Sequence, residues 1–237
     1  MVPLLEFNHL CTQPGNIGSR DDGGLAEYAL CPAPQAHRLP AGLPVEAAML
    51  AEPLACTLHG IDRAQIQVGD DVLVIGAGPI GLMAAELAQL GRAGKVTICE
   101  LNESRAAFAR ELGYEVVQPS AIPSGQANVV IECAGASAAM RQAVDAARSG
   151  GTVVWMGVVS PEAEVLIRPY ELFRRELRIL GSFTNPFTMG RALALLRSAN
   201  FRWQPLITHR YELGEFTQAW ETHLRGEAIK IAVIPSA

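Results

Sequence analysis

The feature that most constrains this chain is the glycine pattern Gly76-Ala77-Gly78-Pro79-Ile80-Gly81. It directly follows Val72-Leu73-Val74-Ile75, a run of branched apolar residues typical of a strand covered on both faces. It also opens a predicted helix over residues 80–90. In this context the first glycine permits a tight turn, the second lets the backbone approach a pyrophosphate, and the third lets the helix pack closely on the strand. The pattern therefore predicts a dinucleotide seated on the amides of a helix N-terminus.

An acidic residue supports this prediction and bears on the choice of cofactor. Glu100 ends the next predicted strand, 19 residues after Gly81, where an acid accepts hydrogen bonds from the adenosine ribose. A carboxylate facing the 2′ position repels the phosphate of NADP, and Leu101 and Asn102 follow it rather than an arginine. We therefore predict NAD over NADP. The alternative is that the glycine-rich turn serves packing alone.

Strands and helices alternate through the middle of the chain, which predicts an α/β fold with a doubly wound parallel sheet of six strands. We predict strands at residues 72–75, 96–100, 129–131, 152–156 and 178–180, and helices at 80–90, 103–112 and 138–148. In the second helix Ala107, Phe108 and Leu112 are expected on one face.

The two ends of the chain differ from the middle in composition and hydrophobic pattern. Residues 1–50 are rich in Gly and Pro, and short alternating stretches such as Leu25–Leu30 predict strands there. The C-terminal part predicts helices at 189–197 and 216–224 and a closing strand at 229–234. In the last helix one apolar stripe is expected, made of Phe216, Ala219, Trp220 and Leu224.

Composition excludes several classes of protein. Hydrophobic residues make up 49% of 237 residues and charged residues 18%, which excludes a disordered chain. The formal charge of −5, with no basic cluster, disfavours a nucleic-acid partner. The longest charge-free apolar stretch, Val72–Ala85, is too short to cross a bilayer, and no secretory signal is visible, so no membrane partner and a cytoplasmic location are expected. Five cysteines without a CxxC pair disfavour both a disulfide framework and a four-cysteine zinc site.

Several strings, in this order and spacing, resemble the zinc-dependent medium-chain dehydrogenases, especially the alcohol and polyol dehydrogenase branch. They are DDGGLAEYAL, AEPLACTLHG, GDDVLVIGAGPIGLMAAELAQL, VVIECAG, GGTVVWMG and PLITHRY. The resemblance implies a Rossmann domain at residues 54–184, an incomplete GroES-like β-rich catalytic domain at 1–53, and a return to that domain at 185–237. It also implies a homo-oligomer, either a dimer or a tetramer.

The motif and the resemblance together imply one cofactor site. Its predicted residues are Gly76, Gly78, Pro79, Ile80, Gly81, Glu100, Arg105, Met156, Gly157, Val158, Ser182, Phe183 and Thr184. The resemblance places Ile80, Glu100 and Arg105 at the pyrophosphate and adenosine end, and the segments 156–158 and 182–184 at the nicotinamide end. Arg105 is alternatively a solvated helix residue, and Met156 and Phe183 are alternatively core residues.

The resemblance implies a catalytic zinc, for which Glu52 of Glu52-Pro53-Leu54-Ala55 is the matching ligand. The alternative is that Glu52 is a surface or interdomain acid. The family's other ligands, a Cys and a Gly-His-Glu string, lie before the point where this chain begins, as do its proton-relay residues, so the catalytic residues are unknown. Cys11 matches the fourth ligand of the structural zinc, but Pro3 stands eight residues earlier, so we predict a free thiol.

Three functions remain open from the sequence. The first is an NAD-dependent oxidoreductase of the zinc alcohol and polyol dehydrogenase type, transferring hydride between a secondary alcohol and NAD and impaired in this truncated chain. The second is a non-catalytic dinucleotide-binding module or remnant. The third is a metal-free NAD(P)H reductase for an activated acceptor. Thr184 stands where many polyol-type relatives carry a basic residue, which puts a simple sugar alcohol as substrate in doubt.

The first residues of the chain include Val2, Leu4, Leu5 and Phe7. Because a β-barrel that lacks its first strands exposes sheet edges and apolar surface, we expect these four residues to be poorly ordered or buried in an oligomer contact.

Overall fold

A six-stranded parallel sheet organises the middle of the chain in the computed structural model, which describes residues 8–11, 17–18 and 20–235. Its strands are β1 (Asp71–Ile75), β2 (Lys95–Cys99), β3 (Glu115–Val117), β4 (Ala127–Glu132), β5 (Ala147–Trp155) and β6 (Arg178–Gly181). They lie in the order β3-β2-β1-β4-β5-β6 with parallel pairing throughout. This is the doubly wound order of dinucleotide-binding domains, so the predicted Rossmann sheet is confirmed.

The helices that accompany this sheet begin with α2 and end with α6. The described helices of the whole chain are α1 (Val45–Ala48), α2 (Ala51–Ala64), α3 (Pro79–Leu90), α4 (Glu103–Glu111), α5 (Ser137–Ala146), α6 (Pro169–Arg175), α7 (Met189–Arg197) and α8 (Phe216–Leu224). Among the residues that the structure describes, no helix combines the length and apolar character that a bilayer crossing needs.

The chain divides into two units. The sheet unit comprises Pro53–Asn185, and the flanking unit comprises Met1–Glu52 with Pro186–Ala237. The flanking unit holds a parallel pair of strands, β7 (Ile207–Glu212) and β8 (Lys230–Ile234). Its α1 is tied to β7 by a bidentate ion pair, in which Arg210 donates to the Glu46 carboxylate at 2.8 and 2.9 Å. The expectation for Val2, Leu4, Leu5 and Phe7 concerns residues outside those described.

The centre of the sheet is apolar on both faces. Val74 of β1, Ile98 of β2 and Ile131 of β4 are fully buried, because helices cover the sheet above and below. The apolar runs that predicted these strands are therefore the core of the sheet unit. Their burial holds the strand ends, and the loops that follow them, in a defined arrangement.

The strand predicted at Leu25–Leu30 is wrong. Within the described part of residues 1–50, the β-type pairing is a single bridge between Ile17 and Asp21. Leu25, Tyr28 and Leu30 are exposed. Alternating sequence forms a strand only where a neighbouring strand satisfies its backbone hydrogen bonds, and these residues have no such neighbour among those described.

The buried faces of two helices also differ from the prediction. In α4 Ala106 and Ala109 are buried and Ala107 is exposed, whereas Phe108 and Leu112 of the predicted face are half-buried. In α8 Ala219 is buried, but Phe216, Trp220 and Leu224 of the predicted stripe are exposed. Small side chains lie against the neighbouring strands because they allow close approach, so the larger apolar residues do not mark the packed face.

The junction of β1 and α3 is closely packed. A Cβ on Gly81 would lie 1.8 Å from the carbonyl oxygen of Gly76. Gly76 itself has φ of +105°, which other residues rarely adopt, and its N–H donates to the Cys99 carbonyl of β2 at 2.8 Å. The helix therefore begins directly on the loop that ends the strand.

Gly81→Ala should destabilise the protein, because the added methyl must displace the Gly76 carbonyl. We expect the free energy of unfolding to fall by about 1–3 kcal/mol, the usual cost of overpacking, as measured by denaturant titration. Gly78→Ala is the matched control, since a Cβ there meets nothing within 4 Å, and it should cost less than about 1 kcal/mol. A Gly81→Ala protein as stable as the parent would contradict this account of the junction.

Candidate functional site

The candidate site lies at the carboxyl ends of β1 and β4, where the order of the strands reverses. Ligands of open parallel sheets bind in the crevice at such a point. The two turns that leave these strands touch each other: Cys133 N–H donates to the Ile75 carbonyl at 2.8 Å, and a Cβ on Gly76 would lie 3.2 Å from the nitrogen of Ala134. The floor of the crevice is therefore built by backbone contacts.

Glu100 is hydrogen-bonded to the glycine loop. This side chain is buried, and its Oε2 accepts the N–H of Ala77 at 2.6 Å while its Oε1 accepts the N–H of Asn102 at 2.8 Å. Each carboxylate oxygen has a further lone pair, so ribose hydroxyls can still donate to it. The acid found at the end of β2 thus links the loop before α3 to the start of α4.

The N-terminus of α3 faces this loop. Pro79 occupies its first turn, where a missing N–H costs nothing, and the first-turn N–H groups of Ile80 and Gly81 have no acceptor within the helix. Gly78 has an ordinary φ of −72°, and a Cβ added to it meets no atom within 4 Å. Neither backbone conformation nor packing requires glycine at this position. The room beside Gly78 therefore fits an approaching ligand.

Arg105 lies at the start of α4, where the Asn102 side chain caps the helix by accepting the Arg105 N–H at 3.1 Å. Its side chain is partly buried, and its Nε is buried with no hydrogen-bond partner among the described residues. A buried donor without an acceptor is costly. A polar ligand at this end of the crevice would supply the acceptor, which a fully solvated arginine would not need.

The segment 156–158 leaves β5 beside the turn after β4. Met156 and Gly157 donate their N–H groups to the carbonyl of Glu132 at 2.9 and 3.0 Å. Met156 is half-buried against α2, since a Cβ on Gly60 would lie 2.3 Å from its sulfur, so packing is part of its role. Val158, by contrast, is 91% exposed.

The segment 182–184 leaves the neighbouring strand β6. Ser182 N–H donates to the Trp155 carbonyl at 2.9 Å, which holds this segment against the end of β5. Phe183 is exposed, so core packing does not explain it. Thr184 has φ of +53°, a strained conformation for a β-branched residue. Such strain is typical of positions held for binding.

Glu132 is a buried acid that the sequence analysis did not single out. It is the last residue of β4, and its side chain is completely buried. Burial raises its pKa, and backbone N–H donors from Gly135 and Ala134 partly offset this effect. The one signal in the sequence is an acid at the end of an apolar strand, in VVIECAG.

The thiols near the crevice are not nucleophiles. Burial raises the pKa of Cys99 to about 11, and the neighbouring carboxylate of Glu100 adds to the effect. Cys133 is shifted in the same direction by burial and by Glu132. Both thiols therefore stay protonated near neutral pH, where the reactive thiolate is negligible.

The described residues do not assemble a zinc site. Glu52 lies in the first turn of α2 and is exposed. The described part of the chain contains no group of three or more His, Cys, Asp or Glu side chains that could hold a metal ion, and a catalytic zinc takes three protein ligands. Of the residues not described, only Glu6 is of these types. The residues present thus fit a dinucleotide and do not fit zinc.

Comparisons with known proteins agree with this geometry. The family model for zinc-binding dehydrogenases matches residues 79–198. Sorbitol dehydrogenase of Halalkalibacterium halodurans is 32% identical, with 96% of this chain and 70% of that protein covered. D-altritol 5-dehydrogenase of Agrobacterium fabrum is 34% identical over 88% of this chain and 64% of its own length. The structure of a zinc-binding dehydrogenase from Sinorhizobium meliloti 1021 bound to NADP superposes with a TM-score of 0.90 at 36% identity, covering 96% of this chain and 70% of that one.

The chain therefore belongs to the zinc-binding dehydrogenase family, and the resemblance found in its sequence is confirmed. It spans about two thirds of the length of its curated relatives, from 62% to 70%. The family's cofactors are NAD(P) and zinc.

Gly78→Ala should weaken NADH binding about tenfold or more, because a Cβ would occupy the space into which a pyrophosphate approaches. Isothermal titration calorimetry on folded protein measures this. Gly190→Ala in α7 is the matched control, since a Cβ there also meets nothing within 4 Å, and it should leave the dissociation constant unchanged. Unaltered binding by Gly78→Ala would show that this glycine serves the turn alone.

Proposed function

We propose that this chain binds NAD in the crevice of the sheet unit and serves an NAD-dependent alcohol or polyol dehydrogenase, with hydride passing between a secondary alcohol and NAD. The observation that carries the proposal is the junction of the glycine loop, α3 and Glu100, in which Gly78 leaves room that packing does not require. The relatives named for sorbitol and D-altritol support an alcohol or polyol as the class of substrate, while Thr184 weighs against a simple sugar alcohol such as sorbitol itself.

The proposed site has two ends. The pyrophosphate and adenosine would be held by Gly76, Gly78, Pro79, Ile80, Gly81, Glu100 and Arg105, and the nicotinamide end by Met156, Gly157, Val158, Ser182, Phe183 and Thr184. Bound NAD supplies the hydride acceptor. The residues of this chain orient it: α3 presents N–H groups and a positive dipole to the diphosphate, and Glu100 accepts from the ribose.

The preference for NAD over NADP is part of this proposal. Glu100 is a buried carboxylate whose position is fixed by two main-chain N–H groups, so it cannot easily turn away from a 2′-phosphate. Two observations favour NADP instead. Arg105 is close to Glu100 in the chain and could accommodate a 2′-phosphate, and one structural relative is bound to NADP. We give Glu100 the greater weight because it is buried and Arg105 is only partly so.

No catalytic step through zinc follows from this structure. Glu52 remains the one residue we propose as a zinc ligand, and a single exposed carboxylate does not hold the ion. We propose that the flanking unit is part of a GroES-like catalytic domain, with boundaries near residues 53 and 185. The residues that would deprotonate an alcohol are not assigned in this chain.

We also propose a homo-oligomer and a cytoplasmic location. β6 is an edge strand of the sheet, and exposed edges are normally covered in stable proteins. The neighbouring α6 exposes Tyr170 and Phe173, whose rings lie 6.2 Å apart. A second copy could cover this edge.

A second function is favoured by one observation. The described residues contain no group of three or more His, Cys, Asp or Glu that could hold a metal ion, and a dinucleotide-binding module without catalysis needs none. Such a module would bind NAD and leave alcohols unoxidised. The third candidate, a metal-free reductase for an activated acceptor, needs no zinc site, and no observation in the described site specifically favours it.

Wild-type protein should bind NADH about tenfold more tightly than NADPH, and Glu100→Gln should narrow this preference because the charge that repels the 2′-phosphate is removed. Fluorescence titration of the reduced cofactors measures both constants. Glu103→Gln is the control, since Glu103 is an exposed acid of the same region that pairs with Arg110 at 2.7 Å, and its preference should equal that of the wild type. Tighter binding of NADPH by the wild type would reject the assignment.

Purified protein should contain much less than one zinc ion per chain and should reduce NAD slowly, if at all, with a panel of secondary alcohols that includes sorbitol and altritol. The reason is that alcohol oxidation in this family depends on a metal ion held by three ligands. Elemental analysis and absorbance at the NADH band measure the two quantities. One zinc per chain together with rapid turnover would contradict the expectation, and turnover without zinc would favour the metal-free reductase.

A further inference from the structure

The buried carboxyl of Glu132 has a specific place between two turns. Its Oε1 accepts the N–H groups of both Ala134 and Gly135 at 2.7 Å, which closes the turn that follows β4. Its main-chain carbonyl accepts the N–H groups of Met156 and Gly157, which follow β5. One residue therefore anchors the turns after two neighbouring strands.

These two turns are in direct backbone contact. A Cβ on Gly157 would lie 2.3 Å from the nitrogen of Gly135 and 2.7 Å from Oε2 of Glu132. A Cβ on Gly135, which has φ of +69°, would lie 2.5 Å from the carbonyl oxygen of Val158. No side chain fits between the turns. Their separation is limited by this glycine contact, and Oε2 of the Glu132 side chain lies close to Gly157.

The Oε2 atom of Glu132 is buried and has no hydrogen-bond partner among the described residues. An unpaired oxygen of this kind is costly, and a simple packing role would be filled better by an apolar residue of similar size. The carboxyl is therefore needed for the N–H groups that it accepts. Buried groups that cost stability in this way are typical of functional sites.

The turn after β4 also touches the cofactor loop. Cys133 N–H donates to the Ile75 carbonyl, one residue before the glycine pattern begins. The turn thus lies between the glycine loop on one side and the segment 156–158 on the other. A shift of this turn would move the wall at the proposed nicotinamide end and leave Glu100 and Arg105, at the adenosine end, in place.

We propose that Glu132 is a positioning residue for the nicotinamide end of the cofactor, acting by holding the turns after β4 and β5 at a fixed separation. This inference rests on the proposed function, because it needs NAD in the crevice. It assigns to the VVIECAG segment a role in orienting the ring that exchanges hydride. The adenosine end is held by other residues and does not depend on Glu132.

The test compares two ligands that share the adenosine diphosphate part, NADH and ADP-ribose, of which only the first carries nicotinamide. In Glu132→Met the new side chain has a similar volume but accepts no strong hydrogen bond. Calorimetry should therefore show NADH binding weakened about tenfold and ADP-ribose binding weakened less than about twofold. Glu132→Gln keeps one acceptor oxygen for Ala134 and Gly135 and should restore NADH affinity to within about threefold of the wild type.

A matched control is Glu86→Gln, since Glu86 is also buried, bonds the Tyr114 hydroxyl at 2.9 Å and lies on α3 away from these turns. It should leave the ratio of the two affinities unchanged. The positioning role is overturned, while NAD binding stands, if Glu132→Met weakens the binding of both ligands equally. It is also overturned if Glu132→Gln loses as much NADH affinity as Glu132→Met. If the wild type binds neither ligand, the proposed function fails first and this inference falls with it.

If Glu132→Met does not fold, hydrogen exchange on the wild type tests the premise of the proposal, which is that the nicotinamide end lies against these two turns. NADH should slow exchange of the amides at residues 133–135 and 156–158 beyond the protection that ADP-ribose gives, because the nicotinamide end lies against turns that Glu132 holds. Equal protection by the two ligands would overturn the proposal.

Discussion

The close approach of Gly81 to the Gly76 carbonyl fixes where α3 begins relative to β1. It brings α3 onto the end of β1 so closely that no side chain fits, and this places the first-turn N–H groups of the helix over the sheet. An anion there gains both hydrogen bonds and the favourable end of the helix dipole. The crevice, the Glu100 carboxylate and the turn after β4 all lie next to this junction.

Two buried acids hold the two ends of the proposed cofactor site by the same means. Glu100 follows β2 and accepts N–H groups from the glycine loop and from Asn102, and Glu132 ends β4 and accepts N–H groups from the turn that follows it. Each carboxylate replaces missing backbone acceptors at a place where a strand ends and the chain must turn. Because each is held by two donors, its position is defined before any ligand binds.

The family's two cofactors stand differently in this chain. The proposed dinucleotide crevice lies within the sheet unit, whereas the described residues contain no group of three or more His, Cys, Asp or Glu that could hold a metal ion. Membership in the zinc-binding dehydrogenase family therefore does not by itself assign zinc chemistry to this chain. The proposed function therefore rests on the crevice, where we propose that a nicotinamide cofactor binds.

Local sequence determined the apolar strands, the helix over residues 189–197, the glycine loop and the acid after β2, because each depends on residues that are neighbours along the chain. It missed β3, α6 and β7, and it predicted a strand at Leu25–Leu30 that does not form in the described structure. Only the tertiary structure decided that Ala106 and Ala109 form the packed face of α4, and that Glu132 joins the turns after β4 and β5. The physical reason is that burial and hydrogen-bond partners are set by residues distant in sequence, which become neighbours only when the strands pair.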